Sequence, residues 1–255
     1  MLTETSLNSK RERHLSGLQV FGPDIWVADG PAVPFLPGFP YPTRMTLVRL
    51  SDGTLWVWSP APLSPALKAE IDALGAVRHV VSPNLLHHLF LGQWKEAYPE
   101  ARLYASPGLG RRRKDLTFDA EVGDSPDPAW AADIDQVAVR GSVAMTEVVF
   151  FHHVSRTAIF ADLIESLPRD WLRGWRGLLA RLDGITAENP GAPREWRLTF
   201  LRRRTARAAV KRILVWPVER VVIAHGDPVT SGGHAFVRRA FNWLLGPTSQ
   251  RCRPP

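Results

Sequence analysis

The chain of 255 residues has a single cysteine, Cys252, three residues before its last position. One thiol can neither close an intrachain disulfide nor build a cysteine-based zinc site, which excludes a disulfide scaffold and a zinc finger. No apolar run approaches the ~20 residues of a membrane span. The polar opening MLTETSLNSKRERHLSG also lacks the apolar stretch of a secretory signal. The expectation is a soluble, cytoplasmic protein. Glycine-rich phosphate loops and RNP-type motifs are missing too, so no specific nucleic-acid partner is expected. Lysine is scarce, 5 against 27 arginines, and this reads as a compositional bias as much as a binding device.

What is present is enough to build a core, since hydrophobic residues make up 45% of the chain. The net charge of +7 is uneven. Between Arg169 and Arg212, twelve basic residues meet four acidic ones, leaving the rest of the chain near neutral. Such a block suits an acidic partner, anionic lipid or nucleic acid, and equally a solvated helix face.

Residues 1–16 read as a flexible tail, 17–246 as one domain and 247–255 as a second tail. DIWVAD (24–29) alternates like a strand, and GPAVPFLPGFPYP (30–42), with five prolines, reads as an irregular loop. RMTLVRL (44–50) and TLWVWS (54–59) flank an Asp52-Gly53 turn and predict a hairpin. Ser64 as N-cap, Pro65 at the first turn and Gly75 at the stop predict a helix between. VRHVVS (77–82), RLYASP (102–107), QVAV (136–139), TEVVFF (146–151), TAIFAD (157–162) and ERVVIAHGD (219–227) predict further strands. Residues 163–214 read as a helical, arginine-rich insert, with Leu167, Trp171, Leu172, Trp175, Leu178, Leu179 and Leu182 on one face. Thr230 or Ser231 is expected to cap a last helix, HAFVRRAFNWLL (234–245). Strands with helices between them give an α/β or α+β class.

Three segments place ligand-type side chains just after apolar strands: His87-His88, Asp162, and His225-Gly226-Asp227. Strand ends converge on one crevice in such folds, and imidazoles with a carboxylate there suit zinc, iron or manganese. Each residue also has a plainer role. Asp162 caps a helix equally well, and His225 with Asp227-Pro228 suits a turn.

In this order the segments resemble the metallo-β-lactamase-like superfamily, and within it an uncharacterised domain-of-unknown-function family. The resemblance covers roughly residues 20–246 and implies a four-layer αββα sandwich with a metal site at the edge between two sheets. The superfamily motif His-x-His-x-Asp-His, laid with His88 last, reads Pro83, Leu85, His87, His88. Both first-site histidines are thus absent, and RGSVAMTE (140–147) supplies none. The second site keeps His87, His88, Asp162 and His225 as ligands, Asp162 matching the bridging aspartate and His225 the final histidine. The resemblance implies one divalent ion, Asp162 and His225 as catalytic groups, and hydrolysis of an ester, thioester or lactone in a small-molecule substrate. His152 and Asp227 are candidates for an additional ligand or a supporting hydrogen bond, and Arg156 for substrate binding. The competing reading is a chain that holds no metal and acts on a partner or a membrane surface through its basic insert. The oligomeric state is not legible.

Overall fold

The Asp52-Gly53 turn closes the hairpin that the flanking alternation predicts. Gly53 takes the left-handed conformation (φ 81°) such a turn demands, and the Asp52 carboxylate accepts from the Thr54 N–H. The computed structural model describes residues 17–36, 39–167, 185–186 and 189–246, and this hairpin lies inside its larger sheet. Strands β1 (Gln19–Gly22), β2 (Ile25–Leu36), β3 (Phe39–Arg49), β4 (Leu55–Trp58), β5 (Val77–Val81), β6 (Arg102–Ala105) and β7 (Ala120–Glu121) follow one another across it. β1 to β4 pair antiparallel and β4 to β7 parallel. Helices α1 (Pro65–Asp72), α2 (Leu91–Ala97) and α3 (Leu109–Arg112) lie in the connections between the parallel strands.

The second sheet holds β8 (Ile134–Val139), β9 (Glu147–His152), β10 (Thr157–Phe160) and β11 (Arg220–Ile223) in the order β11-β10-β9-β8. β10 and β11 are parallel, and the other pairs are antiparallel. α4 (Arg194–Leu198) and α5 (Arg203–Ile213) precede β11, and α6 (Gly233–Ala240) and α7 (Asn242–Leu245) follow it.

Three buried clusters turn these elements into layers. Trp56, Trp58, Tyr104, Trp130 and Phe150 fill the space between the sheets. Leu47, Val57, Ile71 and Trp94 seal α1 and α2 to the first sheet. Phe160, Val210, Val237 and Phe241 seal α5 and α6 to the second. Both faces of each sheet are therefore covered, which is why β4 reads as unbroken apolar sequence and is buried throughout. The result is the four-layer αββα sandwich. α1 begins as expected, with Ser64 Oγ accepting from the Leu67 N–H and Pro65 in the first turn.

Three expectations change. The proline-rich stretch 30–42 is a two-stranded ribbon, the distal halves of β2 and β3, not an irregular loop. Its register shifts at Gly30/Val33 and Pro34/Leu36 accommodate prolines, which tolerate edges and bulges. The last helix breaks into α6 and α7, and its N-cap is Gly232 in the left-handed region (φ 68°), not Thr230 or Ser231. The insert 163–214 is not helical throughout. Residues 163–167 run as bends and bridges, Ser166 pairing with Gly226 and Leu167 with Thr186. Among the described residues helix follows Pro193 in α4 and α5, and Pro190, Gly191 and Pro193 keep 190–193 out of it. Trp171 and Trp175 lie outside the described residues. In α5 the apolar positions Ala206, Ala209, Val210 and Ile213 are buried, so this part of the basic block turns its apolar stripe into the core. Among the described residues no helix is long and apolar enough to cross a membrane.

Candidate metal centre

Four strand ends meet at one edge of the sandwich. Ser59 follows β4, His87 lies in the loop after β5, Asp162 stands two residues past β10 and His225 two past β11. β4 with β5 and β10 with β11 are the parallel pairs, so each sheet delivers two carboxyl-terminal ends to the crevice. Asp162 lies at the centre. Its Oδ1 is 3.0 Å from His225 Nε2 and its Oδ2 is 3.3 Å from His87 Nε2. One ligand atom from each of the three lies within 4.8 Å of the others.

The far side of each imidazole is held. His225 Nδ1 sits 2.6 Å from the carbonyl oxygen of Pro42. A carbonyl only accepts, so Nδ1 donates to it and the ring turns its Nε2 edge to Asp162. His87 Nδ1 is 2.6 Å from Ser59 Oγ, and Ser59 itself holds a left-handed backbone (φ 50°). At 3.0 Å a ring nitrogen and a carboxylate oxygen need a proton or a cation between them. Ligating histidines are oriented in this way by a bond from their other ring nitrogen.

The loop carrying His225 is locked from both sides. Gly226 has φ +136°, and a Cβ there would stand 2.1 Å from the Ser166 carbonyl oxygen. Ser166 N–H donates to the His225 carbonyl. Arg44 reaches across from β3, donating from one guanidinium nitrogen to the carbonyls of Ile223 and Gly226, while its Nε pairs with Asp29.

Two site residues escaped the sequence reading. Asn84 Nδ2 donates to Asp162 Oδ2 at 2.6 Å and to Glu147 Oε2 at 3.1 Å, while Oδ1 accepts from the N–H groups of Leu86 and His87. Glu147, fully buried at the head of β9, accepts from the N–H groups of Ala161, Asp162 and Leu163. Burial, and then the negative charge of Asp162, push the Glu147 carboxyl up to about 8. Burial acts on Asp162 in the same direction, but the two imidazoles overcome it and hold this carboxyl well below the usual range. Asn84 looks like a turn residue in the sequence. The available signal for Glu147 was an acid opening a strand that is otherwise apolar until its last residue.

The structure does not bring the remaining candidates into the cluster. His88 turns to Arg113, whose guanidinium donates to its carbonyl at 2.7 Å and lies 3.1 Å from its Nδ1. Burial and then the charges of Arg112 and Arg113 lower its pKa. Adjacent side chains diverge, and it is His87 that faces Asp162. With His87 in its last place the superfamily motif reads Ser82, Asn84, Leu86, His87, one residue earlier than the sequence alone indicated. His152 pairs with Thr157 at the opposite end of β10, so the strand separates it from Asp162 by roughly 15 Å at ~3.3 Å per residue. It is buried against Ser155 Oγ at 2.7 Å. Arg156 occupies the hairpin tip at that same far end, with φ 52° and an ion pair to Glu219. Asp227 is exposed beyond Gly226.

Above the cluster opens a cavity of about 930 Å³ lined by His87, Asp162 and His225 together with Leu86, Phe90, Met145 and Trp196.

Residues 36–173, more than half of the chain, match the family model described as a domain of unknown function, DUF4336. The chain belongs to that family. No curated protein matches it in sequence. Among solved structures, a metallo-β-lactamase from Pontibacter korlensis is similar, with a TM-score of 0.61 at 11% identity over 90% of this chain and 99% of that one. A metallo-β-lactamase from Hirschia baltica has a TM-score of 0.57 at 14% identity, covering 90% and 97%. The FIM-1 metallo-β-lactamase from Pseudomonas aeruginosa, in its mono-zinc form, has a TM-score of 0.58 at 12% identity, covering 89% and 93%. This DUF4336 member therefore has the metallo-β-lactamase fold.

Proposed function

We propose that the chain is a metal-dependent hydrolase with a one-ion site formed by His87, Asp162 and His225. The observation that carries this reading is the convergence of one ligand atom from each of these residues to within 4.8 Å of the others, with the far nitrogen of each ring already engaged by Pro42 and Ser59. Two imidazoles and one carboxylate, with room for water and substrate, are the donor set of a catalytic zinc site, and iron or manganese accept the same donors. The mono-zinc state of the FIM-1 enzyme, which shares the fold, supports a single ion as a workable state of this architecture. A divalent ion bound there would supply Lewis acidity and bring the pKa of water toward neutrality, which is the chemistry of hydrolysis.

The chain's own groups do the rest. Ser59 and Pro42 hold the two rings, and Asn84 with Glu147 holds Asp162. Asn84 occupies one of the earlier motif positions and commits its amide to these two carboxyls, and Ser82 Oγ binds the Asn84 and His87 carbonyls. Hydrogen bonds thus stand where a first-site ion would need ligands, which favours one ion over two.

The test is elemental analysis of protein purified without a metal-binding tag, beside a His87→Ala/His225→Ala variant. The expected result is about one zinc, iron or manganese per chain, lost in the variant, with hydrolysis of members of an ester, thioester and lactone panel. A folded wild type that holds no metal and is unchanged by added zinc or iron overturns the reading.

A further inference from the structure

The wall of the cavity narrows the ligand. Leu85, Leu86, Phe90, Met145 and Trp196 give it an apolar surface, and among the described residues several of the polar side chains that share it are already engaged within the protein. Thr43 Oγ1 donates to the Pro31 carbonyl at 2.8 Å. Thr199 Oγ1 donates to the Trp196 carbonyl at 2.7 Å and meets Ser142 Oγ at the same distance. The indole N–H of Trp196 also goes to Ser142 Oγ, at 3.1 Å. Ser59 is held by His87, and Glu165 and Glu195 each have an interaction within the protein. Arg112 is exposed, with its charge in water and a hydrogen bond to the Leu85 carbonyl. A sugar or a peptide carries many donors and acceptors, each of which loses affinity when buried without a partner. This wall has few partners to give. An aliphatic chain needs none and gains from every methylene removed from water.

We propose that the cavity is the acyl-chain site of this protein, for a neutral ester or thioester whose one carbonyl lies at the His87–Asp162–His225 cluster and whose aliphatic chain runs along Leu85, Leu86, Phe90, Met145 and Trp196. The volume of about 930 Å³ lies at the upper end of small-molecule sites, well beyond what an acetyl group fills. Only the position of the carbonyl rests on the hydrolase reading; the chain site does not. In the reaction water adds its hydroxyl to the acyl carbon, the bond from that carbon to the alcohol oxygen or thiol sulfur breaks, and the remaining proton of the water goes to the leaving atom.

The test is calorimetric titration of the full chain with the N-methylamides of butanoic, hexanoic and octanoic acid, which are neutral and resist hydrolysis. Affinity is expected to rise about fourfold per methylene, the equivalent of ~0.8 kcal/mol for a buried CH₂, and so roughly 15-fold for each added pair. Met145→Glu, which places a charge in the wall, is expected to flatten the series with metal content unchanged, and Met145→Leu to preserve it. Should Met145→Glu fail to fold, the wild-type series decides alone. Equal affinities across the series, or no binding by the folded protein, overturn the acyl-chain site even if an ion is bound. A rising series in a protein that holds no metal overturns the hydrolase reading and leaves this one standing.

Discussion

Glu147 is the most exacting test of how the centre is held. Its Oε2 accepts from the N–H groups of Asp162 at 2.8 Å and Leu163 at 3.1 Å and from Asn84 Nδ2 at 3.1 Å; Oε1 accepts from Ala161 N–H at 2.9 Å. Glu147→Ala removes every one of these acceptors in a place water does not reach. At ~1–3 kcal/mol for each buried group left unmet, with partial relaxation, the expected loss is about 3–5 kcal/mol. Glu147→Gln keeps the shape and one acceptor oxygen. Because the carboxyl is pushed up to about 8, the amide removes little charge near pH 7. Its cost reduces to the donor it turns toward Ala161 N–H, about 1–2 kcal/mol. Urea unfolding at pH 7 in the presence of a chelator reads both values without any contribution from bound metal. The carboxyl also fixes the backbone of Asp162, so the Gln variant should bind zinc about 10–100-fold more weakly. An Ala variant within about 1 kcal/mol of wild type, or a Gln variant as damaged as Ala, refutes the assignment of these hydrogen bonds.

Two further outcomes follow from the same geometry. Gly226→Ala must place a Cβ 2.1 Å from the Ser166 oxygen at φ +136°, so a loss of about 3 kcal/mol or more is expected in thermal melts together with weakened metal binding; a variant that melts like wild type contradicts the loop geometry. Burial lowers the pKa of His152 to about 4, so the unfolded chain takes up a proton near pH 6.5 that the folded chain refuses. Stability is then unaffected above pH 6.5 and falls as pH drops from there to 4, by about 2–3 kcal/mol. His152→Asn should lose that slope in pH-dependent unfolding, and parallel wild-type and variant curves would count against a buried neutral ring.

The strands were legible because both faces of each sheet are covered, which writes long apolar runs such as VVFF and LWVW into the chain. The Asp-Gly turn and the Ser64-Pro65 start were legible because their backbone conformations select those residues. Of the clustered residues, His87, Asp162 and His225 were legible as polar residues ending apolar strands. The choice between His87 and His88 was not, since neighbours in a loop differ by a rotation that only the fold fixes. Asn84 and Glu147 were hidden for a related reason: they act on Asp162 across 78 and 15 positions of sequence, and neither residue type at its position departs from an ordinary turn or strand. The helical reading of 163–214 holds in α4 and α5 and not at 163–167 or 190–193, where Pro190, Gly191 and Pro193 bar a continuous helix.

The proline-rich ribbon shows how a segment that looks featureless comes to set the chemistry. Prolines remove N–H groups but keep carbonyls, and they hold the chain extended, so a proline stretch beside a site is a rigid row of acceptors. Pro42 uses its carbonyl to accept from Nδ1 of His225, and Tyr41 lies edge-on to the same ring, with centroids 5.3 Å apart. Two residues further on, Arg44 grips the carbonyls of Ile223 and Gly226, on either side of that histidine. The β3 segment Tyr41–Arg44 therefore holds His225 by its ring and by its backbone at once, from the opposite sheet. Asp162 depends in the same way on Asn84, which also belongs to the first sheet's connections while Asp162 follows the second. Asp162 and His225, both presented by the second sheet, are thus each held by a residue of the first, so their placement depends on the relative position of the two sheets. The aromatic cluster of Trp56, Trp58, Trp130 and Phe150 between them thus sets the geometry of the site as much as the residues that form it do.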